Sequence, residues 1–165
     1  MTSEALHIIL RPEALDAPVV RELIDELNDE LDAMYPEPGA NHFELPTADE
    51  FLVAWQPSTD ATEHPVGCGA LRVIEPGVGE LKRMYVRPEA RGRRVAGMIL
   101  TALETAALGL GCHRLVLETG TRQNAAMSLY LRHGYTPIPC WGEYLQSADT
   151  STCLGKTLRP SGAVA

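Results

Sequence analysis

Residues Glu80–Ala96 read ELKRMYVRPEARGRRVA. The first seven, ELKRMYV, carry a strand pattern, and Arg87–Gly92 is a basic loop marked by Pro88 and Gly92. The spacing then predicts a helix over Arg93–Leu110. Val95, Ile99, Leu103, Ala106 and Leu110 fall on one stripe, and Gly109 and Gly111 close it. A strand feeding a turn and a helix N-terminus makes an anion site. The first backbone N–H groups of a helix lack internal partners, and its dipole places positive charge there. Between residues 82 and 94, six Lys and Arg stand against Glu89 alone. A phosphorylated ligand suits this segment. A solvated cap on the helix is the competing reading of the same charges.

On the N-terminal side, Val66–Glu75 is a strand, and Pro76–Gly79 turns it into the ELKRMYV strand as a hairpin. Before it lie a strand at Phe51–Gln56, a polar turn at Pro57–Pro65 and a loop at Tyr35–Asn41. Pro18–Met34 is an amphipathic helix with Asp16 as candidate N-cap, and Leu6–Arg11 is a first strand. On the C-terminal side, Arg114–Glu118 (RLVLE) is an apolar strand. Asn124–His133 is a helix stopped by Gly134, and Tyr135–Ile138 and Ser151–Leu158 are two late strands. The order β–α–β–β–β–α–β–α–β–β implies an α/β fold. Hairpins and one central β-α-β crossover build a mostly antiparallel mixed sheet flanked by helices. Without repeats or a linker, residues 1–165 read as a single domain.

The 165 residues carry a net charge of −8, unevenly spread. Residues 1–80 hold three Arg against 17 Asp and Glu; residues 81–165 hold 11 Lys and Arg against five. An acidic chain disfavours nucleic acid as a partner, since phosphate contacts dominate that affinity. No apolar run is long enough to span a bilayer, and MTSEALHIIL lacks a basic leader, so the expectation is a cytoplasmic protein with no membrane partner. Cys68, Cys112, Cys140 and Cys153 show no metal-ligand spacing, so no metal is expected and four reduced thiols are. Cys112 and His113 do not form a nucleophile–base pair, because neighbours on a strand point to opposite faces. The acidic face of the first helix (Asp25, Glu26, Asp29, Glu30, Asp32) reads as solvated, with attraction of a cationic amine as the alternative.

The segment resembles the acetyl-coenzyme A signature of the GCN5-related N-acetyltransferases, the GNAT family, whose core is Gln/Arg-x-x-Gly-x-Gly/Ala. Here the run is Arg91-Gly92-Arg93-Arg94-Val95-Ala96; its ends match, and Arg94 replaces the central glycine. The preceding MYVRPEARG is similar to the family's V-x-P-x-x-R-G phrase. Downstream, Leu117–Tyr135 resembles the second family motif, with Asn124, Met127, Leu129, Tyr130, Gly134 and Tyr135 in corresponding places. The cofactor motif spans 80–110 and the second motif 114–135.

The resemblance implies an acetyl-CoA-dependent N-acetyltransferase working by direct attack in a ternary complex. The pantetheine arm would pair with backbone groups of Met84, Tyr85 and Val86, and one N–H there would polarise the thioester carbonyl. The diphosphate would sit on Arg91, Gly92, Arg93, Arg94, Val95, Ala96 and Gly97. Asn124 would face the pantetheine or the helix start. Glu80 matches a base position and Tyr130 the general acid near the sulfur; Glu118 is the reserve base. Tyr35, Trp141 and Tyr144 lie in loops that shape the acceptor pocket, and His133 is a cation at a helix C-terminus. The acceptor is read as a primary amine of a small molecule. A protein lysine or N-terminal amine is the alternative, and a non-catalytic CoA-binding module is the alternative of another class. Homodimers are common in the family; the sequence carries no interface signature.

Overall fold

The computed structural model describes residues 7–38 and 45–160. Seven strands form one sheet: β1 (Ile9–Pro12), β2 (Glu50–Pro57), β3 (Glu63–Glu75), β4 (Val78–Val86), β5 (Arg114–Gly120), β6 (Thr136–Pro137) and β7 (Ser151–Thr157). Three helices accompany them: α1 (Pro18–Met34), α2 (Val95–Gly109) and α3 (Asn124–Arg132). The spatial order is β1-β2-β3-β4-β5-β7-β6. Among the described residues, only β4 and β5 run parallel, joined by the α2 crossover; every other neighbouring pair is antiparallel. The mixed sheet and element order agree with the sequence reading. Leu6 of the expected first strand, and residues 39–41 of the expected loop, lie outside the described residues.

Alternation sorts the core. Val20, Leu23 and Leu27 of α1 pack on Phe51, Val53, Cys68, Ala70 and Tyr85. Ile99, Leu100 and Leu103 of α2 pack on the other face, against Leu52, Ala54, Leu71, Leu81, Leu115 and Leu117, with Tyr130 and Tyr135 beside them. The acidic face of α1 is not simply solvated. Arg87 Nη2 reaches Glu22 (2.6 Å) and Glu26 (2.8 Å), and Arg91 Nη2 reaches Glu30 (2.6 Å). These pairs fasten the basic turn after β4 to α1.

Several expected details differ. Ala17, not Asp16, is the N-cap of α1; Pro18 follows in the first turn, and no side chain caps the helix. Gln123, not Asn124, precedes α3. Cys140 and Cys153 are joined in a disulfide, with Cα atoms 5.2 Å apart, against the expectation of four thiols. That expectation rests on compartment alone. It misses that β6 returns antiparallel beside β7, with Pro137 opposite Leu154, which brings residue 140 within bridging distance of 153. Cys68 and Cys112 are free and buried.

The helix expected from Arg93 starts at Val95 because Arg94 takes a left-handed conformation, φ +65°. That region costs a non-glycine residue about 1–2 kcal/mol, partly offset by the extra unfolded-state freedom of glycine. Arg94→Gly is therefore expected to stabilise the fold by about 1 kcal/mol, a rise of roughly 2–4 °C in Tm by thermal denaturation.

Candidate active site

The site begins where two parallel strands part. Pairing between β4 and β5 runs from Val78↔Arg114 to Leu81↔Leu117 and stops. A bulge in β4 accounts for the divergence. Ala70 pairs with Lys82 and Cys68 with Tyr85, so Arg83 and Met84 together oppose Gly69. Arg83 carries the bulge at φ +57°, and the Cys68 thiol donates to its carbonyl at 3.3 Å. Beyond Leu81, β4 keeps β3 along one edge and has lost β5 along the other.

A cleft of about 520 Å³ opens there. Its walls include Met84, Tyr85 and Val86 of β4, then Arg91, Gly92 and Arg94, and the first turn of α2 at Val95, Ala96 and Gly97. The first hydrogen bond of α2 runs from Met98 N–H to Arg94 O, and no side chain caps the helix. Gly92, at φ +78°, has open space where a Cβ would stand. An uncapped helix end beside an unobstructed glycine turn fits a diphosphate. Arg91 serves mainly to build the turn, since its Nε donates to Val86 O at 2.9 Å and its Nη2 is paired with Glu30.

Behind the cleft lies a smaller cavity of about 100 Å³. Lys82 and Arg83 from β4, Glu118–Gly120 from β5, Tyr144, Thr150 and Ser151 line it, together with α1. The last turns of α1 divide the two spaces. Leu27, Glu30 and Met34 face the cleft, while Leu27, Asn28, Leu31 and Tyr35 face the cavity. The Tyr35 hydroxyl accepts from Arg122 N–H at 2.8 Å and overlies Gly120, where a Cβ would collide with it. Cleft and cavity share Leu27, Met84, Gln123, Ala126 and Tyr130.

Charged groups concentrate at this mouth. Glu80 is 1% exposed; it accepts from the Tyr144 hydroxyl (3.0 Å) and Arg72 (3.4 Å), with Lys82 Nζ at 3.9 Å. Lys82 also meets Glu143 at 3.4 Å. Burial pulls the Arg83 guanidinium below its ordinary value, opposed by Tyr144, Glu143, Cys68 and Glu80. Burial raises the Glu118 carboxyl to about 7; Ser151 and Lys82 oppose the rise, and Glu80 and Glu143 add to it. Burial also raises the Tyr130 hydroxyl, with help from Glu118. The Cys68 thiol is pushed up to about 12 by burial, and Cys112 is raised by the same cause.

Most of the residues expected at the cofactor line the cleft. Arg93 and Asn124 line neither space. Gln123 is the residue that sequence reasoning missed. Gln123, Ala126 and Tyr130 stand at i, i+3 and i+7, one helical face, and Asn124 is a step off that stripe. Glu80 lines neither space, whereas Glu118 lines the cavity. Tyr35 and Tyr144 line the smaller cavity; Trp141 does not, and its ring stands edge-to-face with Tyr144 at 5.1 Å. His133 follows α3 as its C-cap. Among the described residues, no helix is long and apolar enough to cross a membrane.

The arrangement has counterparts in known proteins. The model of the acetyltransferase (GNAT) family matches residues 20–135. A curated relative, the IAA acetyltransferase of Azospirillum brasilense, is 36% identical over 141 residues, covering 82% of this chain and 88% of its own. A Klebsiella pneumoniae protein solved as a candidate acyl-CoA N-acyltransferase superposes with a TM-score of 0.74 at 30% identity, covering 92% of this chain and 98% of its own. A GNAT acetyltransferase of Elizabethkingia anophelis, solved with acetyl-CoA bound, shares the fold at a TM-score of 0.66 and 17% identity, over 92% of this chain and 98% of its own. A family match across most of the chain, including the parted strands and the helix end beside them, places it plainly: the chain belongs to the acetyltransferase (GNAT) family and is a GNAT-type N-acetyltransferase.

Proposed function

We propose that the enzyme transfers the acetyl group of acetyl-CoA to a primary amine of a small molecule, by direct attack in a ternary complex. One observation carries this reading: the cleft of about 520 Å³ and the small charged cavity meet at Tyr130 and Met84, in the gap between β4 and β5. Acetyl-CoA, when bound, supplies the activated thioester. The end of α2 and the glycine turn hold its diphosphate. The free edge of β4 at Met84–Val86 pairs with its extended arm and offers an N–H to the carbonyl oxygen. Tyr130, kept protonated by burial, donates a hydrogen bond toward the departing sulfur. A cavity of about 100 Å³ suits a small head group better than a polypeptide. Direct attack agrees with two free thiols that are both buried and held protonated.

An alkyl ammonium must lose a proton before it attacks. In this reading Glu118 accepts that proton, directly or through water, since it lines the cavity. The base role expected of Glu80 survives only as a relay. The Tyr144 hydroxyl lines the cavity and donates to Glu80 at 3.0 Å, so it could pass a proton inward.

Tyr130→Phe tests the junction. Its kcat, followed by thiol release, should fall about 100-fold, while acetyl-CoA affinity by calorimetry stays within twofold. An unchanged kcat would remove Tyr130 from the mechanism.

A further inference from the structure

Four charged residues border the larger cleft: Glu30, Arg91, Arg94 and Arg132. Glu30 and Arg91 meet each other at 2.6 Å. Arg94 and Arg132 have no carboxylate partner among the described residues. An exposed arginine needs none in water, so the lack of a partner decides nothing alone. The backbone of Arg94 says more. It is left-handed, φ +65°, a conformation that glycine adopts without strain and arginine does not. Strain kept at the edge of a ligand cleft points to a side chain that acts there.

The fold brings Arg132 to the same end of the cleft. It stands in the last turn of α3, and His133 follows it as the C-cap. The His133 ring lies against the first turn of α2, with Nε2 3.4 Å from where a Cβ on Gly97 would stand. The C-terminal end of α3 therefore meets the N-terminal end of α2. A cation in the last turn also suits the dipole of α3, which accounts for Arg132 but not for Arg94.

We propose that Arg94 and Arg132 bind the 3′-phosphate of coenzyme A, so that the enzyme selects the phosphorylated cofactor over 3′-dephospho-CoA. This rests on the acetyl-CoA reading above. The backbone N–H groups at the start of α2 suffice for the diphosphate. The third phosphate hangs from the ribose, one sugar away, so a group that holds it must stand off from the helix end. Long side chains do this, and planar guanidinium forks match a phosphate bidentately. The other arginines of the turn are not available. Arg87 is held by Glu22 and Glu26, Arg91 by Glu30, and Arg93 does not border the cleft.

The test measures binding of CoA and of 3′-dephospho-CoA to the wild-type enzyme by calorimetry at low salt. The two ligands share the base, the diphosphate and the thiol arm. CoA should bind about 20-fold more tightly, a modest ratio because both arginines are exposed and screened by solvent. In Arg94→Gly the ratio should fall below about fivefold, and in Arg94→Gly combined with Arg132→Met to within about twofold. Affinity for 3′-dephospho-CoA should not change in either variant. Glycine is at ease at the backbone angles of residue 94, so the turn survives the substitution, and thermal denaturation checks that it does. Equal binding of the two ligands by the wild type, or a preference that both variants keep, would overturn the inference and leave the acetyl-CoA reading standing. Equal losses for both ligands would place the arginines on the diphosphate or the base, and would overturn it too. Binding of neither ligand by the wild type would overturn both readings.

Discussion

Glu118→Gln should lower kcat/KM for the amine by 10²- to 10³-fold, the usual contribution of a positioned base. It should also erase a limb of the pH profile. The carboxyl is raised to about 7 by burial, and only its deprotonated form accepts a proton. In the wild type, kcat/KM should climb about tenfold per unit below pH 7 and bend near 7, well below the ~10 of an alkyl ammonium. The glutamine variant should lack that bend; a bend that survives would shift the base role to Glu80 through Tyr144. Stability supplies a second readout. A carboxyl whose folded pKa is raised binds more protons in the folded state. Stability is therefore lost as pH rises from the ordinary carboxyl value of 4.5 through about 7. Glutamine has no such slope, so thermal denaturation should show the variant gaining on the wild type across that window, by a few kcal/mol at its upper end.

The largest effect on stability is expected from Arg87→Met. The Arg87 side chain is 16% exposed and makes four bonds: to Glu26 through Nε (3.0 Å) and Nη2 (2.8 Å), to Glu22 through Nη2 (2.6 Å), and to Pro65 O through Nη1 (2.8 Å). Methionine keeps much of the apolar stem and loses all four. Removing one partner of a partly buried pair should cost about 2–3 kcal/mol, or roughly 5–10 °C in Tm. The Arg87 guanidinium, by hydrogen bond and by charge, holds the Glu26 carboxyl below its ordinary value. A depressed carboxyl contributes stability above its unfolded value and loses it as pH falls through the folded one. Urea unfolding should therefore show the full difference at pH 7 and a smaller one below about pH 4. A constant gap across that range would mean that the guanidinium acts by packing alone.

The sequence shows the element order and the parallel pair, and points to the helix end beside the glycine turn, because each rests on local signals. Apolar spacing marks the helices, Pro-Gly turns mark the hairpin, and the RPEARGRR run marks the loop. What it does not show depends on contacts between distant segments. The bond between Cys140 and Cys153 needs β6 laid beside β7. The role of the acidic helix face needs α1 laid along the turn that bears Arg87 and Arg91. The placing of Glu80 against Glu118 turns on how far β4 and β5 stay paired: Glu80 lies inside the paired region, and Glu118 is the first residue of β5 past it. Arg94 is a different case. Nothing local forbids a helix start at Arg93, and a glycine at 94 would have signalled the left-handed turn.

Neighbouring positions along α1 face different spaces. Glu30 and Met34 border the larger cleft, and Leu31 and the C-cap Tyr35, one residue on, border the smaller cavity. Each residue turns the helix by about 100°. Under the proposed function, point substitutions on one stripe should retune the acceptor without disturbing the cofactor. An insertion or deletion of a single residue upstream of Leu27 is another matter. It rotates both stripes at once, and carries Glu22, Glu26 and Glu30 away from Arg87 and Arg91. Divergence in this helix is open to substitution and closed to changes of length.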